Sequence, residues 1–125
     1  MKIILLAIIF ILLDIFMLNL LRNFFERQIF IVQKSSLQLD LLASFLCYIV
    51  LVFVLYYFII CKNRPVFEAF LLGVSIYAVY ELTNKALFSK WSWITVLVDT
   101  TWGGVLFALS TFIFYLFYKQ TLKSL

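Results

Sequence analysis

The chain has 125 residues, of which 66% are hydrophobic and 13% charged, and its mean hydropathy is +1.14. This composition excludes a soluble domain, since the apolar residues form unbroken blocks rather than stripes. The formal net charge is +4, but the basic residues lie singly or in pairs at the ends of those blocks, so no nucleic-acid partner is expected. Histidine is absent, which excludes histidine-ligated haem and the common zinc sites. We expect no cofactor and no metal.

Four apolar blocks follow one another along the chain, at about 3–21, 41–60, 66–88 and 93–118. Each block reaches the roughly 20 residues that a helix needs to cross hydrocarbon. The blocks do not alternate between apolar and polar residues, as the strands of a membrane barrel would. The sequence therefore predicts an all-α fold, a bundle of four transmembrane helices that forms one domain over 1–125 and is surrounded by membrane lipids.

The first block resembles a signal peptide in its basic start at Lys2, but Asp14 lies inside it and no small-residue cleavage pattern follows. We expect an uncleaved span. After this span, apolar residues recur at helical spacing, while Arg22, Glu26 and Arg27 fall on another side. This pattern predicts a short interfacial amphipathic helix. The alternative is that the first helix continues past the membrane surface until a polar turn over 33–38.

The two later loops are marked by different residues. Pro65 is typical of the first turn of a helix, and Lys62 and Arg64 place the second loop at the surface. The third loop, around 88–92, is short and predicts an antiparallel hairpin of the last two spans. The basic residues divide equally between the two sides of the membrane, so the positive-inside rule gives only a weak preference for cytoplasmic termini.

Because successive spans run in opposite directions, the depth of each polar residue follows from its position. Asp14 lies past the middle of the first span, Glu81 and Asn84 lie late in the third, and Asp99 lies early in the fourth. All four therefore lie in one half of the membrane, with Glu81 and Asp99 roughly 5 to 10 Å from its centre. Carboxylates in hydrocarbon cost several kcal/mol, so these acids should face the bundle interior, with Lys85 as the nearest candidate counter-ion.

Helical spacing adds aromatic side chains to this layer. On the third helix, four side chains are predicted to share one face: Tyr77, Tyr80, Glu81 and Asn84. On the fourth helix, Trp102 follows Asp99 on the same face. These residues form a candidate binding site for a proton, a cation or a lipid headgroup, comprising Asp14, Tyr77, Tyr80, Glu81, Asn84, Asp99 and Trp102. The alternative is a hydrogen-bonded layer that holds the helices together, with Gly73, Gly103 and Gly104 permitting close approach.

The second half of the chain carries a set of short motifs: Tyr80-Glu81-Leu82-Thr83-Asn84, Trp91, Val98-Asp99 and Trp102-Gly103. With them the chain resembles an uncharacterised family of small predicted membrane proteins, domain of unknown function 2177. The family signature is aromatic-Asp-Leu-Thr-Asn, a Trp-Pro turn, and Val-Asp-x-x-Trp-Gly. The similarity is continuous over 77–104 and extends more loosely to Asp14, Phe24, Phe25 and Tyr48.

Three positions depart from the family pattern. Glu81 replaces Asp but keeps the carboxyl group, Ser92 replaces Pro but can cap the fourth helix, and Met17 replaces an aromatic residue. The resemblance implies a four-span fold and singles out the same polar residues as the depth estimate. It implies no activity.

Three functions fit these features. The first is a small binding or transport protein, which with four spans would need to form a homo-oligomer. The second is a structural or assembly subunit beside a larger partner in a bacterial or viral membrane. The third, a lipid-modifying enzyme, is weaker because no Ser-His, Cys-His or metal arrangement is present, and no catalytic residue is assigned. High Phe, Ile, Tyr and Lys usage would suit an AT-rich bacterial genome or a large-virus genome. We expect a bacterial cytoplasmic membrane, with a viral or host membrane as the alternative.

Overall fold

The computed structural model describes residues 2–33 and 40–124 and is built from helices. The helices are α1, Lys2–Gln33; α2, Leu41–Leu55, extended by a π-helical segment, Tyr56–Ile60; α3, Val66–Leu87; and α4, Trp93–Ser124. Four stretches are long and apolar enough to cross a membrane: Lys2–Ile31, Leu41–Ile60, Val66–Leu87 and Trp93–Tyr118. The predicted all-α fold with four membrane helices is confirmed. Most of the predicted polar turn at 33–38 lies outside the described residues.

The first helix is longer than the predicted span. It continues to Gln33, but Leu21 leaves the helical backbone with φ −108° and ψ 16°. The charged segment after Leu21 is therefore helical, as predicted, and this kink separates it from the first span. An exposed ion pair, Arg22 Nε to Glu26 Oε1 at 2.9 Å, supports this second part of α1.

Helix ends agree with the local signals in the sequence. The α2 helix begins after Asp40, whose carboxylate accepts a hydrogen bond from the Ala43 amide at 3.0 Å, and α3 begins directly after Pro65. Ser92 caps α4, because its hydroxyl oxygen accepts from the Thr95 amide at 3.0 Å. Ser92 thus supplies the cap that the sequence predicted for α4.

The α3 and α4 helices form the most extensively packed pair in the bundle. A Cβ atom built at Gly73 would lie 2.3 Å from the carbonyl oxygen of Gly103, and one built at Gly104 would lie 2.5 Å from a methyl group of Val74. The two backbones are therefore in contact. In lipid, where hydrophobic association between helices is absent, such close packing is a main source of attraction.

A core of large apolar side chains fills the half of the bundle that contains the start of α1 and the end of α2. Leu6, Phe10, Leu55, Leu106 and Phe107 are fully buried, and the rings of Phe10 and Phe107 meet edge to face at 5.5 Å. Apolar side chains also cover much of the outer surface, as lipid requires. We call the end of the bundle with the α3–α4 turn the acid end and the opposite end the Lys2 end.

Candidate functional site

The acid on α1 is bonded to two other helices. Asp14 is 8% exposed and accepts one hydrogen bond at each carboxylate oxygen. The Tyr48 hydroxyl of α2 donates to Oδ2, and the Trp102 indole of α4 donates to Oδ1 at 2.9 Å. Both donors stabilise a negative charge on Asp14. This residue therefore joins α1, α2 and α4 at one level of the bundle.

The other two acids lie side by side between α3 and α4. Glu81 is 1% exposed and accepts a hydrogen bond at Oε2 from the Trp91 indole at 2.7 Å. Asp99 lies next to Glu81, with the two carboxyl groups placed to share a hydrogen bond, and Asp14 is the next acid in range. A hydrogen bond between two carboxyl groups requires a proton on one of them, since an ionised carboxylate is only an acceptor.

Tyr77 packs beside the three acids Asp14, Glu81 and Asp99, which we call the acid cluster. Its side chain packs on Gly103, where a Cβ atom would lie 2.2 Å from the ring, and its ring meets Phe107 edge to face at 6.4 Å. Asp14 and Asp99 are both among its electrostatic neighbours. Tyr77 therefore separates the acids from the apolar core on the Lys2 side.

Tyr80 and Asn84 do not join the acids as the sequence predicted. Tyr80 is 58% exposed on the outer surface, because adjacent helical residues point about 100° apart and Tyr80 directly precedes the buried Glu81. Asn84 is half-buried, and its backbone oxygen accepts from the Phe88 amide at 2.8 Å. Within the described part of the chain, no hydrogen bond links the Asn84 side chain to an acid. The shared face of α3 is therefore narrower than predicted.

The expected counter-ion is also elsewhere. The Lys85 ammonium donates to the backbone oxygen of Ser89 at 3.3 Å and lies 5.6 Å from the centre of the Trp93 ring. The prediction that Lys85 neutralises the acids is wrong, because the side chain extends towards the membrane surface and the α3–α4 turn. Across residues 2–33 and 40–118, whose side chains the structure describes apart from 32 and 33, no basic group pairs with any of these three acids.

Sequence reasoning missed the role of Gln28, which is 6% exposed. Its amide nitrogen donates to the Lys90 backbone oxygen at 3.1 Å, while its oxygen accepts from the Ser92 amide at 3.0 Å and from the Thr95 hydroxyl at 2.8 Å. Gln28 thus fastens the second part of α1 to the α3–α4 turn. A signal was present, since Gln28 lies in register with the apolar residues at 21, 24, 25 and 29.

Replacing Gln28 by Ala should lower the free energy of unfolding by about 2 kcal/mol, because the Ser92 amide and the Lys90 oxygen, both partly buried, lose the partner that Gln28 provides. The measurement is reversible unfolding in mixed micelles. Asn23→Ala is the matched control, since this amide lies on the same segment and is exposed. Equal stability of the two variants would show that the Gln28 contacts do not hold the turn.

Fold and site together define a class: a small four-helix integral membrane protein with a hydrogen-bonded acid cluster near one end. The chain belongs to the family described as predicted membrane protein (DUF2177), whose family model matches residues 1–116. The resemblance seen in the sequence motifs is thereby confirmed over most of the chain. No curated protein and no solved structure matches the chain.

Proposed function

We propose that this protein binds a proton inside the membrane, at the carboxyl pair formed by Glu81 and Asp99. The observation that supports this proposal is the placement of two acids side by side with no basic partner in the described structure. Two ionised carboxylates that lie side by side in a low-dielectric site repel one another strongly. One shared proton removes the repulsion and supplies the missing hydrogen-bond donor.

The surroundings of the pair favour a proton over a metal ion. Among the described residues, no group of three or more acid, cysteine or histidine side chains is arranged to hold a metal. Indole donors already occupy one oxygen of Glu81 and one of Asp14. The other titratable groups near the cluster are the phenols of Tyr48 and Tyr77 and the thiol of Cys47, and phenols and thiols carry no charge at neutral pH.

The membrane in which the protein lies is part of this proposal. We assign it to a bacterial cytoplasmic membrane, where a proton gradient exists, with a viral or host membrane as the alternative. Four spans are few for a transporter built from two inverted repeats, so passage of a proton across the membrane would need a homo-oligomer. Binding of a proton alone needs no partner.

A structural role is the second candidate, and two sets of hydrogen bonds between helices favour it. Hydrogen bonds at Asp14 connect α1 with α2 and α4, and Gln28 connects α1 with the α3–α4 turn. Such polar bonds hold membrane helices together without any ligand. In this case the protein would be an assembly subunit that packs beside a larger membrane partner.

Infrared spectroscopy of the protein in nanodiscs separates the two functions. We expect a protonated carboxyl band near neutral pH that Asp99→Asn abolishes, because the remaining Glu81 then loses the partner with which it shares the proton. Glu68→Gln is the control, since Glu68 is an acid paired with Arg64 at the opposite end. If every carboxyl group instead titrates near its ordinary value of about 4, the cluster is ionised and the structural role is preferred.

A further inference from the structure

A second polar region lies at the Lys2 end of the bundle, far from the acids. A cavity of about 230 Å³ opens there between the start of α1, the end of α2 and the end of α4. Its volume corresponds to several water molecules. The polar side chains that line it are Lys2, Tyr56, Cys61, Asn63, Tyr115 and Tyr118.

Lys2 brings a positive charge to this cavity. Its ammonium group donates to the Tyr118 hydroxyl at 2.7 Å and lies 4.3 Å from the centre of the same ring. Its other electrostatic neighbours are Tyr56 and Cys61. The described contacts of Lys2 therefore include no carboxylate. Among the described residues Lys2 thus has no counter-ion. The Tyr118 hydroxyl, which accepts from Lys2, can donate its own proton.

The rest of this end reinforces the positive potential. The loop between α2 and α3 carries Lys62, whose ammonium lies 4.9 Å from the ring centre of Tyr57. Arg64 is paired with Glu68 at 2.7 Å, so the acid at this end is already engaged. Lys2 begins the first span and this loop separates two others. The cavity therefore lies at the depth of lipid headgroups.

Backbone contacts hold the walls of the cavity in place. The π-helical segment at the end of α2 closes with a hydrogen bond from the Cys61 amide to the Tyr56 oxygen at 2.8 Å, and such segments occur often at functional sites. Tyr115 of α4 donates to the backbone oxygen of Arg64 at 2.6 Å. The loop is thereby fixed against α4, and the cavity is a formed feature of the bundle.

We propose that this cavity binds a phosphate group, presented by the headgroup of an anionic phospholipid, with the Lys2 ammonium and the Tyr118 hydroxyl as its contacts. Ammonium and hydroxyl donors are the groups that phosphate oxygens accept from. The phosphate would supply a negative charge that no described contact of Lys2 provides, while the acyl chains would lie along the apolar outer surface. This site shares no residue with the acid cluster and does not depend on proton binding there.

Native mass spectrometry of the detergent-solubilised protein tests the proposal. With phosphatidylglycerol and phosphatidylcholine supplied in equal amounts, the wild type should retain the anionic lipid preferentially. Lys2→Gln should lower this preference about tenfold, the effect of one charge-assisted hydrogen bond. Lys2→Arg should keep it, and Tyr118→Phe should weaken it by a smaller factor. Lys90→Gln, which removes a lysine from the opposite end, is the matched control and should change nothing.

A second arm of the experiment identifies the source of the phosphate. Glycerol 3-phosphate is added at the lipid concentration, and its binding is measured on the wild type and on Lys2→Gln. Retention of lipid without retention of glycerol 3-phosphate supports a lipid headgroup; Lys2-dependent binding of glycerol 3-phosphate alone supports the phosphate site but overturns the lipid source. Equal retention of both lipids by the folded wild type, or a preference unchanged in both Lys2→Gln and Tyr118→Phe, overturns the proposal.

Discussion

Gly73→Ala should separate α3 from α4 and lower the free energy of unfolding by about 3 kcal/mol, the upper range for overpacking. The added methyl group would lie 2.3 Å from the carbonyl oxygen of Gly103 and 2.8 Å from its carbonyl carbon. These are backbone atoms, so no side-chain rotation can relieve the clash and the helices themselves must move apart. The measurement is the unfolding midpoint in mixed micelles.

Gly104→Ala is the matched control for this prediction, because it makes the same change in the same helix pair. Its new methyl group would meet Val74 and the far edge of the Phe70 ring, at 2.5 and 2.7 Å. Side chains can shift where a backbone cannot, so this variant should lose clearly less stability. If both variants are equally stable, the α3–α4 contact is looser than the geometry indicates.

Asp14→Ala should also lower the free energy of unfolding by about 3 kcal/mol, since it leaves two half-buried donors, the Tyr48 hydroxyl and the Trp102 indole, without an acceptor. Tyr48→Phe removes a single hydrogen bond and should cost about 1 kcal/mol. Asn19→Ala is the control on the same helix, because Asn19 is exposed. A loss no greater than that of the control would show that Asp14 does not join the helices.

The isosteric change Asp14→Asn tests whether Asp14 belongs to the proposed proton site. It removes one acid from the cluster but leaves Glu81 and Asp99 as neighbours. We therefore expect the protonated carboxyl band to persist in Asp14→Asn and to vanish in Asp99→Asn. Loss of the band in Asp14→Asn would instead show that the proton is bound at Asp14 of α1 and not at the α3–α4 pair.

The fold was predictable because a helix that crosses lipid needs a continuous apolar segment of about 20 residues. Apolar length gave the starts of the second, third and fourth spans, and Pro65 marked the beginning of α3 where the structure has it. The kink in α1 was harder to predict, because Leu21 is an ordinary apolar residue without a proline or glycine beside it. Its position coincides with the change from an apolar block to a charged segment, which the sequence shows as a boundary but not as a bend.

The depth of the site residues in the membrane was predictable from the sequence, but the direction in which each side chain points from its helix was not. The helical rise placed Asp14, Glu81 and Asp99 at a common level, and the structure brings these three together. Rotation about each helix axis depends on packing, however, and this moved Tyr80 to the lipid-facing surface. The contacts of a long side chain are still harder to predict, because Lys85 can extend towards the acids or towards the turn without any change in its backbone.

The tryptophans are distributed unevenly, and this has an optical consequence. All three, Trp91, Trp93 and Trp102, belong to the α3–α4 turn and the first part of α4, and the indoles of Trp91 and Trp102 donate directly to carboxylates. The cavity at the Lys2 end is lined by tyrosines instead. Tryptophan emission should therefore respond to the charge state of the acids and remain unaffected by an anion bound at the other end. The protein carries its own fluorescent reporter for one of its two polar regions.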